Sequence, residues 1–257
     1  MPDKSLYPMI FKRKSFHLFR NCGNETITAK ECKEIEEAYL GFEALYPEIS
    51  TAIRIVPAER TNCRCGQEYC ILLYSETKDN YLANIGYLGQ QLDLYLVSRN
   101  IGSLWFGLGK TKEKSYDGMD YVIMIAIRKV SDPAQFRRDM FQCKRKSVED
   151  IWHGEKIDDV SNIVRFAPSA CNSQPWLVER KDNRLLVYRY RKPGILGVVQ
   201  TAFVSYHNRI DIGIFLCFLN LCLDNKCISY RYRLHVDSGD NKERSLLAEY
   251  SLESGDF

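Results

Sequence analysis

Two segments in the first half of the chain repeat their hydrophobic positions with the period of an α-helix. The first begins at Thr28, which has the spacing of a capping box with Glu31, and its apolar face predicts a helix as far as Pro47. The second covers residues 80–100, where apolar side chains recur at three- and four-residue intervals. We interpret the glycine-rich run at 102–110 that follows it as a loop.

Three runs in the same half have the composition of β-strands. Residues 51–57 are rich in β-branched side chains. Residues 69–75 are apolar without interruption, which is typical of a strand covered on both faces. Residues 121–130 have the strongest strand pattern of the chain. A basic segment at 137–146 closes this half.

A shorter version of the same element order follows after residue 150. The predicted elements are a helix at 157–167, a loop at 167–176, strands at 176–180 and 184–190, an apolar helix at 207–225, and strands at 227–236 and 245–251. Asp211 and Gly213 in the apolar helix correspond to Asn84 and Gly86 in the first. We therefore predict two related halves, 1–150 and 151–257, that form one compact unit. The alternative is that this element order is simply common among α+β proteins.

Composition and charge restrict the class of protein. With 45% hydrophobic and 27% charged residues, the chain has the balance of an ordinary globular protein that can build a sizeable core. The net charge of +3 is too small for a nucleic-acid coating or a membrane-surface role, so we expect neither partner. The most apolar segment, 210–223, is too short to span a bilayer. We identify no export signal and interpret the ten cysteines as reduced thiols of a cytoplasmic protein.

The densest group of polar side chains lies in the loop at 167–176, APSACNSQPW. Two prolines prevent a helix from continuing through it. Ser169, Asn172, Ser173 and Gln174 offer hydrogen-bond donors and acceptors on a segment that is held at both ends. Such a loop can bind a planar polar ligand. The alternative is a helix stop followed by a rigid turn into the next strand, and composition does not separate the two.

The amino-acid sequence of this loop closely resembles that of the segment that lies against the flavin ring in the FMN-dependent nitroreductase family. Three further segments resemble that family. Residues 13–15, Arg-Lys-Ser, are similar to its N-terminal signature for the flavin phosphate and ribityl chain. Residues 102–109 are similar to the glycine-rich segment whose backbone lies along the isoalloxazine, and 144–151 to the basic element that completes the phosphate site.

The resemblance implies an α+β fold, with a central, mainly antiparallel sheet flanked by helices. It implies FMN as cofactor and hydride transfer from NAD(P)H, through flavin N5, to a nitroaromatic, a quinone or a similar small-molecule acceptor. Because the flavin performs this chemistry, we assign no catalytic side chain. The residues expected to bind the cofactor are Arg13, Lys14, Ser15, Leu104, Trp105, Gly107, Leu108, Gly109, Arg145, Lys146, Pro168, Ser169, Ala170, Asn172 and Gln174.

One departure from the family pattern concerns spacing. In the usual homodimer the N-terminal signature precedes the polar loop by a few tens of residues, whereas Ser15 and Pro168 are 153 positions apart here. The corresponding loop of the first half, at 45–50, keeps a proline but lacks Asn and Gln. We interpret the chain as a fused pseudo-dimer that binds one FMN and can act as a monomer.

Several alternatives stay open. The protein could bind flavin as a carrier or sensor without turnover, or use the same fold for a different flavin chemistry. Trp105, Phe106 and Tyr87 are candidates to line the substrate face, although core packing explains them equally well.

Three cysteines lie close together in the sequence, at positions 63, 65 and 70. Thiolates at short spacing are typical metal ligands. No second cysteine pair or nearby histidine supplies a fourth ligand at ordinary spacing, so we predict no metal.

Overall fold

The structure, a computed structural model, describes residues 2–190, 199–237 and 243–253, with the backbone alone described at 199–204. The helices are α1 Met9–Lys12, α2 Ala29–Leu40, α3 Tyr81–Ser98, α4 Val148–Ile151, α5 Val160–Val164 and α6 Val199–Asn225. The strands are β1 Thr51–Pro57, β2 Tyr69–Ser75, β3 Ile101–Phe106, β4 Ser115–Tyr116, β5 Met119–Lys129, β6 Trp152–His153, β7 Trp176–Lys181, β8 Arg184–Tyr190, β9 Tyr230–Leu234 and β10 Arg244–Leu252.

The strands form two sheets that share one topology. The first has the order β1-β2-β5-β3, with the short β4 also paired to β5, and the second has the order β6-β7-β8-β10-β9. With β4 and β6 set aside, each half thus places its first, second, fourth and third strands side by side. Neighbouring strands run antiparallel, apart from β6 with β7. The predicted α+β fold is confirmed, although its strands form two sheets.

Two long helices, α3 and α6, pack against each other between the sheets through a pair of glycines. A Cβ at Gly86 would collide with the backbone oxygen of Ile210, and a Cβ at Gly213 would collide with that of Ala83. The contact is reciprocal, because each glycine meets the residue three positions before the other glycine. Both helices are apolar on most faces, as expected for helices buried on all sides.

Each of these helices also holds a loop of its own half through a side chain at the same helical position. Asn84 accepts a hydrogen bond from the backbone N–H of Tyr46 at 3.1 Å and donates to the backbone oxygen of Tyr46 at 3.3 Å. Asp211 accepts from the backbone N–H of Ala170, at 3.0 and 3.2 Å from its two oxygens. The two loops therefore dock on the two helices in corresponding ways.

The helix predicted from Thr28 to Pro47 is shorter in the structure. Its start is confirmed, because Thr28 and Glu31 form the capping box. It ends at Leu40, where Gly41 follows as the cap. Glycine favours the end of a helix. Beyond Gly41, the side chain of Asn84 bonds the backbone N–H and the backbone oxygen of Tyr46, so these two groups do not need partners within a longer helix.

The glycine-rich run at 102–110, predicted as a loop, is a strand over its first part. β3 pairs with β5 from Ile101 opposite Lys129 to Phe106 opposite Met124. The prediction of a loop is wrong for this part, because the edge of β5 that faces it offers hydrogen-bond partners for its backbone. The loop begins at Gly107.

One continuous apolar core extends across both halves and includes side chains of α3, α6 and both sheets. A second, smaller core lies on the other face of the first sheet. Within the described ranges, every helix is too short or too polar to cross a membrane.

Candidate functional site

Two adjoining cavities lie where the first sheet, α6 and the loop at 167–176 meet. The larger one, the basic compartment, has a volume of about 900 Å³. The smaller one, the apolar compartment, has a volume of about 440 Å³ and a mostly apolar lining. The residues that line both are Arg13, Ser15, His17, Pro168, Ser169 and Cys171. This shared wall makes the two compartments parts of one site.

Arg13 is held in the shared wall by a buried carboxylate. Its Nε lies 2.7 Å from Oδ2 of Asp93, and the two side chains are only 4% and 0% exposed. Asp93 also accepts hydrogen bonds from the Ser103 hydroxyl and, at 3.2 Å, from the Trp105 indole. One carboxylate on α3 thus orients an arginine and fixes an aromatic side chain. Sequence reasoning missed Asp93, whose signal is a single charged residue within a largely apolar helix.

Several cations surround the basic compartment, and its described lining residues include no carboxylate. Arg137 donates to the backbone oxygen of Arg13 at 2.9 Å, and Arg145 donates to Oδ1 of Asn172 at 2.9 Å. Burial, followed by repulsion from the Arg13 guanidinium, lowers the pKa of both Arg137 and Arg145. Nε of Arg145 is buried and has no hydrogen-bond partner among the described residues. An anion in this compartment would relieve the repulsion.

Two lining cations were not named as site residues from the sequence. Arg137 and Arg138 belong to the basic segment at 137–146, so their charge was visible. Their approach to Arg13 was not, because it depends on the path of an irregular segment. Lys14 lines the same compartment and donates from Nζ to the backbone oxygen of Gln135 at 2.8 Å.

The polar loop has an unusual backbone. Cys171, Asn172 and Gln174 have φ values of 51°, 54° and 49°, in the left-handed region that non-glycine residues seldom adopt. Such conformations persist where the surroundings enforce them, and they concentrate at functional sites. Here Asp211 anchors the loop at Ala170.

Gln174 and Lys146 hold each other instead of facing the compartments. The Gln174 side chain accepts from the Lys146 backbone N–H at 2.8 Å and donates to the Asn172 backbone oxygen at 3.1 Å. Nζ of Lys146 donates to the Gln174 backbone oxygen at 2.8 Å. Both residues thus support the loop.

The apolar compartment is walled by β3 and the loop after it on one side and by α6 on the other. Leu104, Trp105 and Phe106 come from β3. His207 of α6 lies 3.1 Å from the backbone oxygen of Gly107 and leaves no room there for a Cβ. Asp211 forms part of the same wall, and burial raises its pKa to about 8.

The structure brings most of the predicted cofactor-binding residues to these two compartments. Those that line one or both are Arg13, Lys14, Ser15, Leu104, Trp105, Gly107, Leu108, Arg145, Pro168, Ser169, Ala170 and Asn172. Lys146, Gln174 and Gly109 are outside both linings, and Gly109 packs on Met124. The binding role of every one of these residues stays a prediction.

Of the three candidate aromatic side chains, two face the apolar compartment. Trp105 and Phe106 line it. Tyr87 is buried in the core, where its hydroxyl accepts a hydrogen bond from Asn220 at 2.8 Å. Core packing is therefore the role of Tyr87.

Comparison with known proteins decides the family. Residues 5–222 match the family described as "Putative TM nitroreductase". The chain belongs to this nitroreductase family. It is therefore an oxidoreductase, as the resemblance of its motifs implied.

A solved structure agrees with this assignment at the level of the fold. A crystal structure described as a "putative nitroreductase" from Thermotoga maritima superposes with a TM-score of 0.60 at 15% sequence identity. The match covers 96% of this chain and 92% of that one. No curated protein matches the chain.

Proposed function

We propose that the protein is an FMN-dependent oxidoreductase that transfers a hydride from NAD(P)H, through the flavin, to a nitroaromatic, a quinone or a similar small acceptor. The observation that carries this proposal is the pairing of a basic compartment with an apolar one across a shared wall. A molecule with an anionic end and a planar apolar end has this shape and charge pattern.

The basic compartment suits the phosphate of FMN. A phosphate monoester carries about −1.5 to −2 charges at neutral pH. Arg13, Arg137 and Arg145 converge there without a carboxylate in the described lining, and Nε of Arg145 needs an acceptor. Guanidinium groups can bind phosphate through two parallel hydrogen bonds, which favours this assignment over a neutral ligand. Ser15 adds a hydroxyl at the shared wall.

The apolar compartment suits the flavin ring. Its volume of about 440 Å³ lies within the range of cofactor sites, and its polar groups include side chains of residues 13–17, of the loop at 167–176 and of α6. When bound, the flavin supplies the hydride chemistry. The side chains of this protein position it: Asp93 fixes Trp105 on the β3 wall, and Asp211 on the α6 wall anchors the loop at 167–176.

We include in the proposal that the chain is a fused pseudo-dimer, with halves 1–150 and 151–257. The shared strand order and the reciprocal contacts of Gly86 and Gly213 support it. In such a molecule one half supplies Arg13 and β3, and the other supplies α6 and the polar loop. A single chain then builds a whole site and can act as a monomer.

The pseudo-equivalent of the site is already occupied by side chains of the chain. Asn80, which caps the start of α3, precedes Asn84 by the same four positions by which His207 of α6 precedes Asp211. It donates to the backbone oxygen of His235 at 3.0 Å and accepts from the backbone N–H of Asp237 at 2.8 Å. A buried ion pair joins Asp237 to Arg189, and the remaining cavity is about 300 Å³. We therefore propose one FMN per chain.

The proposed activity is tested by anaerobic reduction. FMN-loaded protein should lose its flavin absorbance on addition of NADH or NADPH and regain it on addition of a nitroaromatic. A protein that binds FMN but is not reduced by either nucleotide would be a carrier and not this enzyme. A protein that takes up no FMN would refute the proposal. The cytoplasmic location belongs to the proposal too, and all ten cysteines are free thiols.

A further inference from the structure

Asp211 is a buried carboxyl in the wall of the apolar compartment. It is only 3% exposed, and its neighbours in that wall on α6 are the apolar side chains of Ile210 and Ile214. Within the described ranges Asp211 forms no ion pair, and its two oxygens share the backbone N–H of Ala170, at 3.0 and 3.2 Å. One shared N–H does not replace the water that an ionised carboxylate loses on burial.

Asp93, the buried carboxyl that holds Arg13 in the shared wall, has the partners that a buried charge requires. Nε of Arg13 lies 2.7 Å from it, and two further side chains donate hydrogen bonds to it. Asp211 has no such cation, so burial favours its protonated form. Burial raises the pKa of Asp211 to about 8, and hydrogen bonds from Ala170 and Ser173 oppose this rise only in part. The Asp211 carboxyl therefore carries its proton at neutral pH.

The equivalent position on α3 shows that anchoring a loop does not require a carboxyl. Asn84 occupies that position, and its neutral amide holds the backbone N–H and the backbone oxygen of Tyr46. An amide at position 211 can accept the same bond from Ala170, so the anchor alone does not account for an acid there. What the carboxyl of Asp211 adds is a proton that it can give up near neutral pH.

Reduction of the acceptor requires a proton as well as a hydride. The flavin supplies the hydride, and for that reason no catalytic side chain was expected from the sequence. A quinone that takes up a hydride alone becomes the anion of its hydroquinone, and an uncompensated anion is unfavourable in an apolar compartment. A positioned acid with a pKa close to the working pH removes this cost.

We propose that Asp211 donates the proton that the acceptor takes up together with the hydride in the apolar compartment. This inference rests on the proposed function. The O–H bond of Asp211 breaks and its electron pair stays on the carboxylate, while the proton forms an O–H bond on the reduced acceptor. A quinone thus gains one hydride, which brings both electrons, and one proton, and it leaves as the hydroquinone. Water then returns a proton to the carboxylate.

Other titratable groups surround Asp211. Those that line the compartment with it are Arg13, His17, Cys65, Cys171 and His207. On α3, which packs against α6, Asp93 compensates the charge of Arg13, and α5 has no titratable side chain. His207 lies 3.1 Å from the backbone oxygen of Gly107. Because thiols also titrate at about pH 8.5, variants are needed to assign a pH dependence to Asp211.

The first measurement uses the full-length chain without flavin. Infrared difference spectra between about pH 6 and about pH 10 follow the carbonyl band of protonated carboxyl groups. The wild-type chain should lose part of this band around pH 8, and Asp211→Asn should not. Asp224→Asn is the matched control and should keep the change, because Asp224 is a second buried carboxyl on α6, with a pKa raised by burial, and lies outside both compartments. The same band change in Asp211→Asn would overturn the proposal.

The second measurement separates proton transfer from electron transfer. The FMN-loaded chain is reduced with dithionite under anaerobic conditions and mixed with tetramethylbenzoquinone or with ferricyanide, which takes up electrons without a proton. The return of flavin absorbance gives the rate. Asp211→Asn should be reoxidised by the quinone at least tenfold more slowly than the wild-type chain, and by ferricyanide at the wild-type rate. Asp224→Asn should match the wild-type chain with both acceptors.

The wild-type chain alone gives an independent check through its pH profile. Its reoxidation by the quinone should slow above about pH 8, where Asp211 loses its proton, while reoxidation by ferricyanide should not. Equal slowing with both acceptors, or equal quinone rates in Asp211→Asn and the wild-type chain, would overturn this inference and leave the proposed function standing. A chain that takes up no FMN would overturn both.

Discussion

Replacing Asp93 with asparagine removes the charge that compensates Arg13 inside the protein. The pair is buried, with Nε and Oδ2 at 2.7 Å and side chains 4% and 0% exposed. Loss of one partner of a buried ion pair costs about 3–5 kcal/mol, because the remaining charge stays out of water without compensation. The new amide would also place an N–H group among donors from Arg13, Ser103 and Trp105. We therefore expect Asp93→Asn to lower the free energy of unfolding by about 3–5 kcal/mol.

Urea unfolding followed by tryptophan fluorescence measures this change. Glu37→Gln is the matched control, because Glu37 pairs with Lys33 on α2 at 3.6 Å while both side chains are 63% and 77% exposed. Glu37→Gln should lower the free energy of unfolding by less than about 0.5 kcal/mol. If the free energy of unfolding of Asp93→Asn lies within about 1 kcal/mol of that of the wild-type chain, which is the scale of an exposed pair, Asp93 does not compensate a buried charge on Arg13.

Three further predictions concern the site and the central helices. Arg13→Ala should weaken FMN binding by about 1.5–3 kcal/mol, the value of a hydrogen bond to a charged group, in a fluorescence titration; unchanged affinity would place the phosphate elsewhere. Gly86→Ala should destabilise the chain, because the new methyl group meets the backbone oxygen of Ile210, and a melting temperature equal to that of the wild-type chain would contradict the close approach of α3 and α6. Burial raises the pKa of Asp211 to about 8 in the folded state, against an ordinary value of 3.8. Between these pH values the folded chain binds more protons than the unfolded chain, so the free energy of unfolding should fall as the pH rises. Denaturant unfolding at several pH values should show a smaller decrease of the free energy of unfolding with pH in Asp211→Asn. An unchanged decrease would mean that other groups cause the pH dependence.

The sequence predicted those parts of the fold that depend on neighbouring residues. The capping box of Thr28, the strands β2 and β8, and the helix α3 follow from local periodicity and lie where the pattern placed them. The end of α2 and the start of β3 depend on distant partners, Asn84 in one case and the edge of β5 in the other. Local patterns do not contain those contacts.

The same division applies to the site. Arg13 and the polar loop could be named from motifs. Asp93 could not be named, because it lies 80 positions from Arg13 in the sequence and only the folded chain brings the two side chains together. Gln174 was expected to contact the ligand, whereas its side-chain amide is hydrogen-bonded to backbone groups of Lys146 and Asn172. The contact with Lys146 depends on the path of residues 144–146, which the sequence pattern does not show.

The number of flavins that one chain binds distinguishes a fused pseudo-dimer with a single site from a chain with two equivalent sites. Titration of the purified full-length chain with FMN, followed by flavin fluorescence and by size-exclusion chromatography with light scattering, counts the sites per chain. We expect one FMN per chain in a monomer, with riboflavin, which lacks the phosphate, bound far more weakly. Two FMN per chain, or equal affinity for FMN and riboflavin, would contradict it.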